Sequence, residues 1–448
     1  MVGNRLVALV AVMFAAGVLF AGPAHADDDM RAMVRDIVQQ EMSDSGGLNA
    51  KWSSGIRLES ADKKFKLKIG GRIMIDHWFI DDDDLDNVGN YRDEQIDSGI
   101  EFRRVRLYNS GLIYGNVEYK LQIDFAEPND PTFKDVYIGI TNLDDCFGCL
   151  FPSIRVGHFK QPFGLEQLTS SKYITFMERS AATNAFTPGR KYGVMLHDRL
   201  MGDQFTWAVS YWLREEGDDD VEDDGDADFD EGWGVAARLT YTPWYDCECA
   251  CRRLHIGAGF VYVTETQDQQ ERFRARPYTH HTDTRLVDTG TMNDVEDWTA
   301  FNIELALVYG PWSVQGEYFF VDVTSTTAGD PSFSGWYAQA SYWLTGECRN
   351  YSKGKFGRVK PCCNFLDEEC CCYGAFELAV RYDYIDLEDA NVAGGEQGTL
   401  VVGLNWHLNP NTRLMLNYFI VDVEGGPVLG AGADESMSGL GIRFQVDW

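Results

Sequence analysis

Between Phe65 and Trp448 apolar residues return at every second position, the period of a β-strand whose two faces meet different surroundings. In FKLKIGGRIMIDHW one face carries Phe65, Leu67, Ile69, Ile73 and Ile75; the other carries Lys66, Lys68, Arg72, Met74 and Asp76. At the end of the chain Leu440, Ile442, Phe444, Val446 and Trp448 alternate with Gly441, Arg443, Gln445 and Asp447. VEYKLQIDF, FNIELALVYG, WSVQGEYFFV and TLVVGLNWHL follow the same rule. Such runs are about 8–12 residues long, enough for a tilted strand to cross a bilayer. Sixteen can be counted from Phe65 onward. Ahead of them Met30, Met33, Val34, Ile37 and Val38 fall at helical spacing, which predicts a short amphipathic helix closed by SDSGG.

The connections between strands are lopsided. Long ones (DDDDLDNVGNYRDEQIDS, EEGDDDVEDDGDADFDE and the run from Thr266 to Asp297) follow odd-numbered strands; MGDQ, GP and NPN follow even ones. A soluble sandwich has no reason for that asymmetry, whereas a membrane barrel has long external loops and short periplasmic turns. In lipid every backbone polar group must pair internally, so the sheet must close. The predicted fold is therefore all-β, a 16-stranded antiparallel transmembrane β-barrel with a short N-terminal helical segment. Trp78, Trp212, Trp233, Trp244, Trp312 and Trp406 stand near strand ends, where interfacial girdles are expected.

Residues 1–26 have the form of an export signal: Arg5, an apolar run, and the small-x-small site Ala24-His25-Ala26. Residues 27–60 form a periplasmic N-terminal segment and 61–448 the barrel. No later run of about 20 apolar residues offers a transmembrane helix. The net charge of −31 excludes nucleic acid as a partner and leaves outer-membrane lipid as the surrounding medium.

One insert breaks the strand pattern. RVGHFKQPFGLEQLTSSKYITFMERS starts as the fifth strand, stops at Pro-Phe-Gly and continues without alternation, so the third external loop covers about 164–190. The run from Arg155 to Val194, together with EFRRVRLYNSGLIYGNVEYKLQIDFA and the closing GIRFQVDW, resembles the phosphate-selective porin O/P family. The resemblance spans nearly the whole barrel and is most specific over residues 100–194. It implies a homotrimeric outer-membrane channel for small anions, phosphate or polyphosphate among them, with the third loop folded into the lumen.

The lumen-facing register holds Arg72, Arg104, Arg106, Lys120, Arg155, Arg238, Arg381, Arg413 and Arg443. It also holds Asp76, Glu118, Asp124, Asp135, Glu304, Glu317, Asp383 and Asp447. Rings of Arg and Lys favour anions, and a guanidinium holds a phosphate through two parallel N–H bonds. The same charges could instead pair as structural ladders across the wall. Arg104 and Arg106 are the first choice for anion contact, with Arg103 of opposite parity facing lipid or a subunit interface unless a bulge intervenes. The third loop adds Lys172 and Arg179, and Arg190 and Lys191 stand at its exit; Tyr173, Ile174, Phe176 and Phe186 are expected to pin it. Against an anion channel stand the acidic loops, with twelve carboxylates and no Lys or Arg from Glu215 to Glu231.

The eleven cysteines cluster in turns after strands four, eight and twelve: Cys146 and Cys149; Cys247, Cys249 and Cys251; Cys348, Cys362, Cys363, Cys370, Cys371 and Cys372. Disulfides across enlarged periplasmic turns, a soft-metal site, or a covalent link to a periplasmic envelope partner would each use them. His280 and His281 are expected in solvent. No phosphate loop, nucleophile elbow or zinc helix is found, so neither an enzyme nor a cofactor is implied. The readings left are an anion porin, a general or cation-preferring porin of the same fold, and a cross-linked structural envelope protein.

Overall fold

The computed structural model describes residues 47–82, 85, 96–127, 129–143, 151–215, 229–245, 251–264, 269–367 and 372–448. The expected leader and N-terminal helix, most of two acidic loops, and Cys146, Cys149, Cys247, Cys249, Cys370 and Cys371 lie outside the described residues. A hairpin of β1 (Leu48–Trp52) and β2 (Ile56–Ser60) leads into the barrel. The wall runs through β3 (Lys66–Asp81), β4 (Gly99–Ile113), β5 (Val117–Asp124), β6 (Thr132–Ile140) and β7 (Ser153–Lys160). Two short helices follow, α1 (Leu165–Leu168) and α2 (Ala181–Phe186). The wall resumes with β8 (Arg190–Leu200), β9 (Phe205–Glu215), β10 (Phe229–Tyr245) and β11 (Arg252–Thr264). A small hairpin, β12 (Arg274–Ala275) and β13 (Val287–Asp288), precedes β14 (Val295–Tyr309), β15 (Trp312–Ser325) and β16 (Ser332–Trp343). A second, β17 (Tyr351–Ser352) and β18 (Lys355–Phe356), precedes β19 (Ala375–Asp389), β20 (Val392–Asn409) and β21 (Thr412–Glu424). The chain closes with α3 (Gly426–Leu429) and β22 (Asp434–Asp447).

Every wall strand pairs antiparallel with its neighbours, and β22 returns to β3 in register from Ser438↔Asp81 to Asp447↔Arg72, which closes sixteen strands. Below that ladder β2 takes over the freed edge of β3, from Ile56↔Ile69 to Glu59↔Lys66. Backbone pairing is thus satisfied around the ring, as hydrocarbon requires.

The alternation is inverted relative to a soluble protein. On β14 Phe301, Ile303 and Leu305 are exposed while Asn302, Glu304 and Ala306 are buried; Arg381 and Arg443 are completely buried. Two girdle assignments are corrected by this geometry. Trp78 and Trp212 point inward and are buried, Trp78 against Tyr278 and Phe419, because their register positions face the lumen rather than lipid. Trp244 and Trp312 do face outward.

Five cysteines are described. Cys251–Cys348 and Cys363–Cys372 are disulfides, and Cys362 is a free thiol. Four of these five are spent internally, and nothing among the described residues supports covalent coupling to an envelope partner. No cluster with metal-ligand geometry occurs among the described residues.

Candidate functional site

The third loop leaves the wall at Gln161-Pro162-Phe163-Gly164. Gly164 takes φ 76°, a left-handed conformation that costs glycine little and lets the chain turn inward. Gln161 N–H donates to the Gly189 carbonyl at 2.9 Å, and its side-chain amide donates to Phe159 and Lys191 carbonyls, which closes the neck of the loop. Beyond the neck Phe163, Leu165, Ile174, Phe176, Met177 and Phe186 are all buried. Each such side chain contributes roughly 1.5–3 kcal/mol over exposure.

Polar groups of the wall supply the register of docking. Glu317 accepts the Leu165 and Glu166 N–H groups at 2.7 and 2.8 Å. Asn405 and Arg413 donate to the carbonyls of Thr175 and Ile174, both at 2.8 Å, and Asn417 accepts Met177 N–H at 2.8 Å. Arg443 clamps Asp76 through two bonds and reaches Glu178 at 2.7 Å. The loop therefore lines β15, β16, β19 to β22 and β3, touches β4 through Glu178 and β7 through Gln167, and leaves the rest of the wall from β4 to β9 less covered.

Several sequence candidates are engaged by the loop or by the wall. Arg72 donates to Ser171 Oγ at 2.6 Å, Lys172 pairs with Asp447 at 3.3 Å, and Arg179 donates to the Glu166 and Thr169 carbonyls. Arg238 is bidentate on Glu304 at 2.8 and 2.6 Å. Arg104 is buried, 3.8 Å from Glu178. In these five the charge has a partner within the protein, and Arg179 lines the cavity at the mouth as well.

The open wall carries the others. Arg106 pairs with Asp124 at 2.6 Å, Arg155 with Glu118 at 2.9 Å, and Arg190 with Asp135 at 2.7 Å; Lys120 shares Asp135. Two β-bulges enrich this face beyond what parity predicts. Between Met74 and Ile75 the β3–β4 register slips, so Arg103 is an extra residue and turns inward onto Glu178 at 2.7 and 2.9 Å. The outward placement of Arg103 is thereby corrected. Between Leu121 and Ile123 the β5–β6 register slips likewise, and Lys134 joins Asp135 on the lumen side, near Arg106 and Asp124. Lys160, whose direction parity leaves open, donates to the Gln167 carbonyl. Around Asp124 and Asp135 the wall thus gathers Arg106, Lys120, Lys134 and Arg190, four cations against two carboxylates.

The mouth holds the largest departure from the sequence reading. The connection after β11 does not stand in solvent. In Glu271-Arg272-Phe273-Arg274-Ala275-Arg276 the alternation continues: Phe273 and Ala275 are buried, and Phe273 packs on Phe186, Trp298 and Phe333. The arginines consequently share the other face and line a cavity of about 370 Å³ with Arg103, Arg179, Lys191 and Arg285. Its carboxylates are Glu178, Glu271 and Asp383. These are engaged, Glu271 by Trp298 Nε1 at 2.7 Å and Asp383 by Arg381 at 2.9 Å. Arg272 holds Asp288 at 2.7 Å and fixes the small hairpin, and Arg276 pairs with the exposed Asp283 at 3.1 Å. His280, expected to be solvated, instead bonds Glu101 at 2.9 Å, since the loop folds inward. The strand-like period of RFRARP was the available signal; loop position concealed it.

At the periplasmic end the turn after β16 also enters the lumen. Arg358 pairs with Asp447 beside Tyr173, Gly354 O accepts from Arg238 at 2.8 Å, and Lys355 stands toward Lys120 and Arg155. Burial inside the barrel, with Arg155, Lys120 and Arg238 nearby, lowers Lys355 to about 8. Burial, with Arg72 and Arg358, lowers Lys172 to about 8 against the pull of Asp447. For Glu178, burial pushes upward, yet Arg103, Arg104 and Arg443 outweigh it and hold the carboxyl well below its ordinary value. Both lysines lose charge as pH rises through about 8, so anion-to-cation permeability is expected to fall between pH 7 and 9. Reversal potentials at fixed salt gradient measure this, and a ratio constant to pH 9 would contradict it.

A family model, phosphate-selective porin O and P, matches residues 68–448. The chain belongs to that family. It is an outer-membrane porin. Porin O of Pseudomonas aeruginosa is 26% identical over 440 residues, covering 90% of this chain and 93% of that protein. Among solved structures, an anion-selective porin from Comamonas acidovorans has a TM-score of 0.51 at 12% identity, covering 86% of this chain and all of the other. OmpT of Vibrio cholerae in trimer form has the same TM-score and identity and covers 86% of this porin and 99% of its own chain. At that identity the two structures speak for the fold alone.

Proposed function

We propose that this porin, as a homotrimer, passes phosphate-class oxyanions inward in three stages: the mouth arginines, the cations around Asp124 and Asp135, and Lys355 at the inner exit. The observation that carries this reading is the inward face of Arg272, Arg274 and Arg276 in a cavity whose carboxylates are already engaged. Guanidinium pairs suit phosphate oxygens, and binding spread over several weak sites permits release. The trimer follows the form described for OmpT of Vibrio cholerae. Paired cations such as Arg106, Arg155 and Arg190 keep the lumen from binding any anion too tightly to leave.

The acidic composition favours a second reading, a cation-preferring channel of the same fold. Yet charges on external loops are screened beyond about 10 Å at 0.1 M salt. Purified porin in a planar bilayer under a potassium chloride gradient separates the two. An anion-favouring reversal potential, with chloride current reduced by added phosphate, is expected. A cation-favouring potential would remove the anion reading, and a lack of channels would restore the structural-protein alternative.

A further inference from the structure

β11 and β16 are not neighbours, since β14 and β15 stand between them. Three strand spacings, about 14 Å, separate them along the wall. Yet Cys251 at the foot of β11 and Cys348, five residues beyond β16, are joined with Cα atoms 5.5 Å apart. The bridge is a chord across the periplasmic rim. A chain leaving β16 is thereby drawn inward over β15 and β14 instead of hanging into the periplasm.

The packing follows from that chord. Cys348 lies against the lumen-facing Ala306 and Val308, beside Leu165 of the third loop and Tyr351 and Phe356 of the hairpin. Past this small cluster the hairpin is held mainly by polar contacts: Gly354 O to Arg238, Tyr351 to His255, Arg349 to Gln315 at 2.8 Å, and Phe356 N–H to Thr169 at 3.4 Å. All four bonds are buried, and each contributes only about 0.5–1.5 kcal/mol net over one to water. Gly354, at φ 70°, seats the tip closely enough that a Cβ there would lie 2.9 Å from Thr206 Oγ1. The second disulfide, Cys363–Cys372, closes a short loop within the same turn; that loop rests on β20 through Phe365, whose N–H donates to the Leu408 carbonyl at 2.6 Å, and the bridge joins no wall strand to the hairpin.

We propose that Cys251–Cys348 positions the inner constriction of this porin, and that conductance depends on its oxidation state. Oxidised, the bridge fixes the hairpin as a floor, with Lys355 facing Lys120 and Arg155. Reduced, the hairpin leaves the lumen and the inner exit widens. The bridge forms when the two thiols pass two electrons and two protons to a disulfide oxidant of the periplasm, which becomes a dithiol. Dithiothreitol reverses it, yielding two cysteines and its own cyclic disulfide. The inference rests on the channel and not on which ion it prefers.

The test uses the full mature porin, folded with its disulfides and inserted in a planar bilayer, with dithiothreitol in both chambers. Conductance is expected to rise about twofold, as when one side of a two-sided constriction is removed, and to become noisier. C251S/C348S should conduct at the raised level from the start and ignore the reductant, while C363S/C372S should respond like the parent. Unchanged conductance after reduction, with thiol labelling proving that Cys251 and Cys348 are free, would overturn the proposal. So would a C251S/C348S channel that still responds. If C251S/C348S does not fold, reduction of the inserted parent decides alone. A cation-preferring channel that widens on reduction would refute the anion reading and leave this one standing.

Discussion

Replacing Arg443 with methionine is expected to detach the third loop from the wall and raise single-channel conductance severalfold. Arg443 is fully buried and joins Asp76, Glu178 and the Met177 carbonyl at one point. Its removal leaves buried Asp76 without its cation, a loss of the kind that costs about 3–5 kcal/mol, and takes one of three cations from Glu178, which keeps Arg103 and Arg104. The barrel ladder does not depend on that side chain, because β21, β22 and β3 remain hydrogen-bonded along their length. The cost therefore falls on the loop, the least constrained partner. Adding Asp76→Asn and Glu178→Gln should recover part of the parent conductance, since fewer charges are then stranded. Parent-level conductance in Arg443→Met would show that the apolar contacts of Phe176, Met177 and Phe186 hold the loop unaided.

Changing Arg274 and Arg276 together to glutamine is expected to lower the anion-to-cation permeability ratio and weaken block by phosphate about tenfold, or about 1.4 kcal/mol. Arg272 is left in place because its pair with Asp288 fixes the hairpin. The readout is the reversal potential at several salt concentrations. Loss of a direct contact persists at high salt, whereas loss of long-range attraction is screened. Arg238→Lys serves as the contrast. Its partner Glu304 lies within the wall, so ion preference should hold. An unaltered ratio in the Arg274/Arg276 variant, or a large change in Arg238→Lys, would move the selective site out of the mouth.

Much of the barrel was legible in the chain because the bilayer imposes a period of two on every strand. Ile442, Phe444 and Val446 against Arg443, Gln445 and Asp447 is enough to orient β22. Where a single residue is inserted the rule fails locally. Arg103 and Lys134 both enter the lumen at bulges, and a bulge depends on how the partner strand is aligned, which the alternation of one strand does not encode. Among the thirteen cations named from register and loop position, the structure sorts bracing side chains from lumen-lining ones by their partners. Arg72 and Arg106 look alike in sequence and face one another in register, yet one grips Ser171 of the third loop and the other pairs with Asp124 of the neighbouring strand.

The sequence by itself determined the number of wall strands, their orientation, and which connection would break the pattern, because these follow from local period and turn length. The tertiary structure decided where the charges act. It turned a loop in an acidic chain so that Arg272, Arg274 and Arg276 face inward, and it drew the turn after β16 across the floor through Cys251 and Cys348. Both depend on contacts between residues far apart in the chain: Phe273 finding Phe186, and one cysteine reaching past two strands to another. Periodicity reports the surroundings of a strand, whereas the cargo path is set by what folds into its interior.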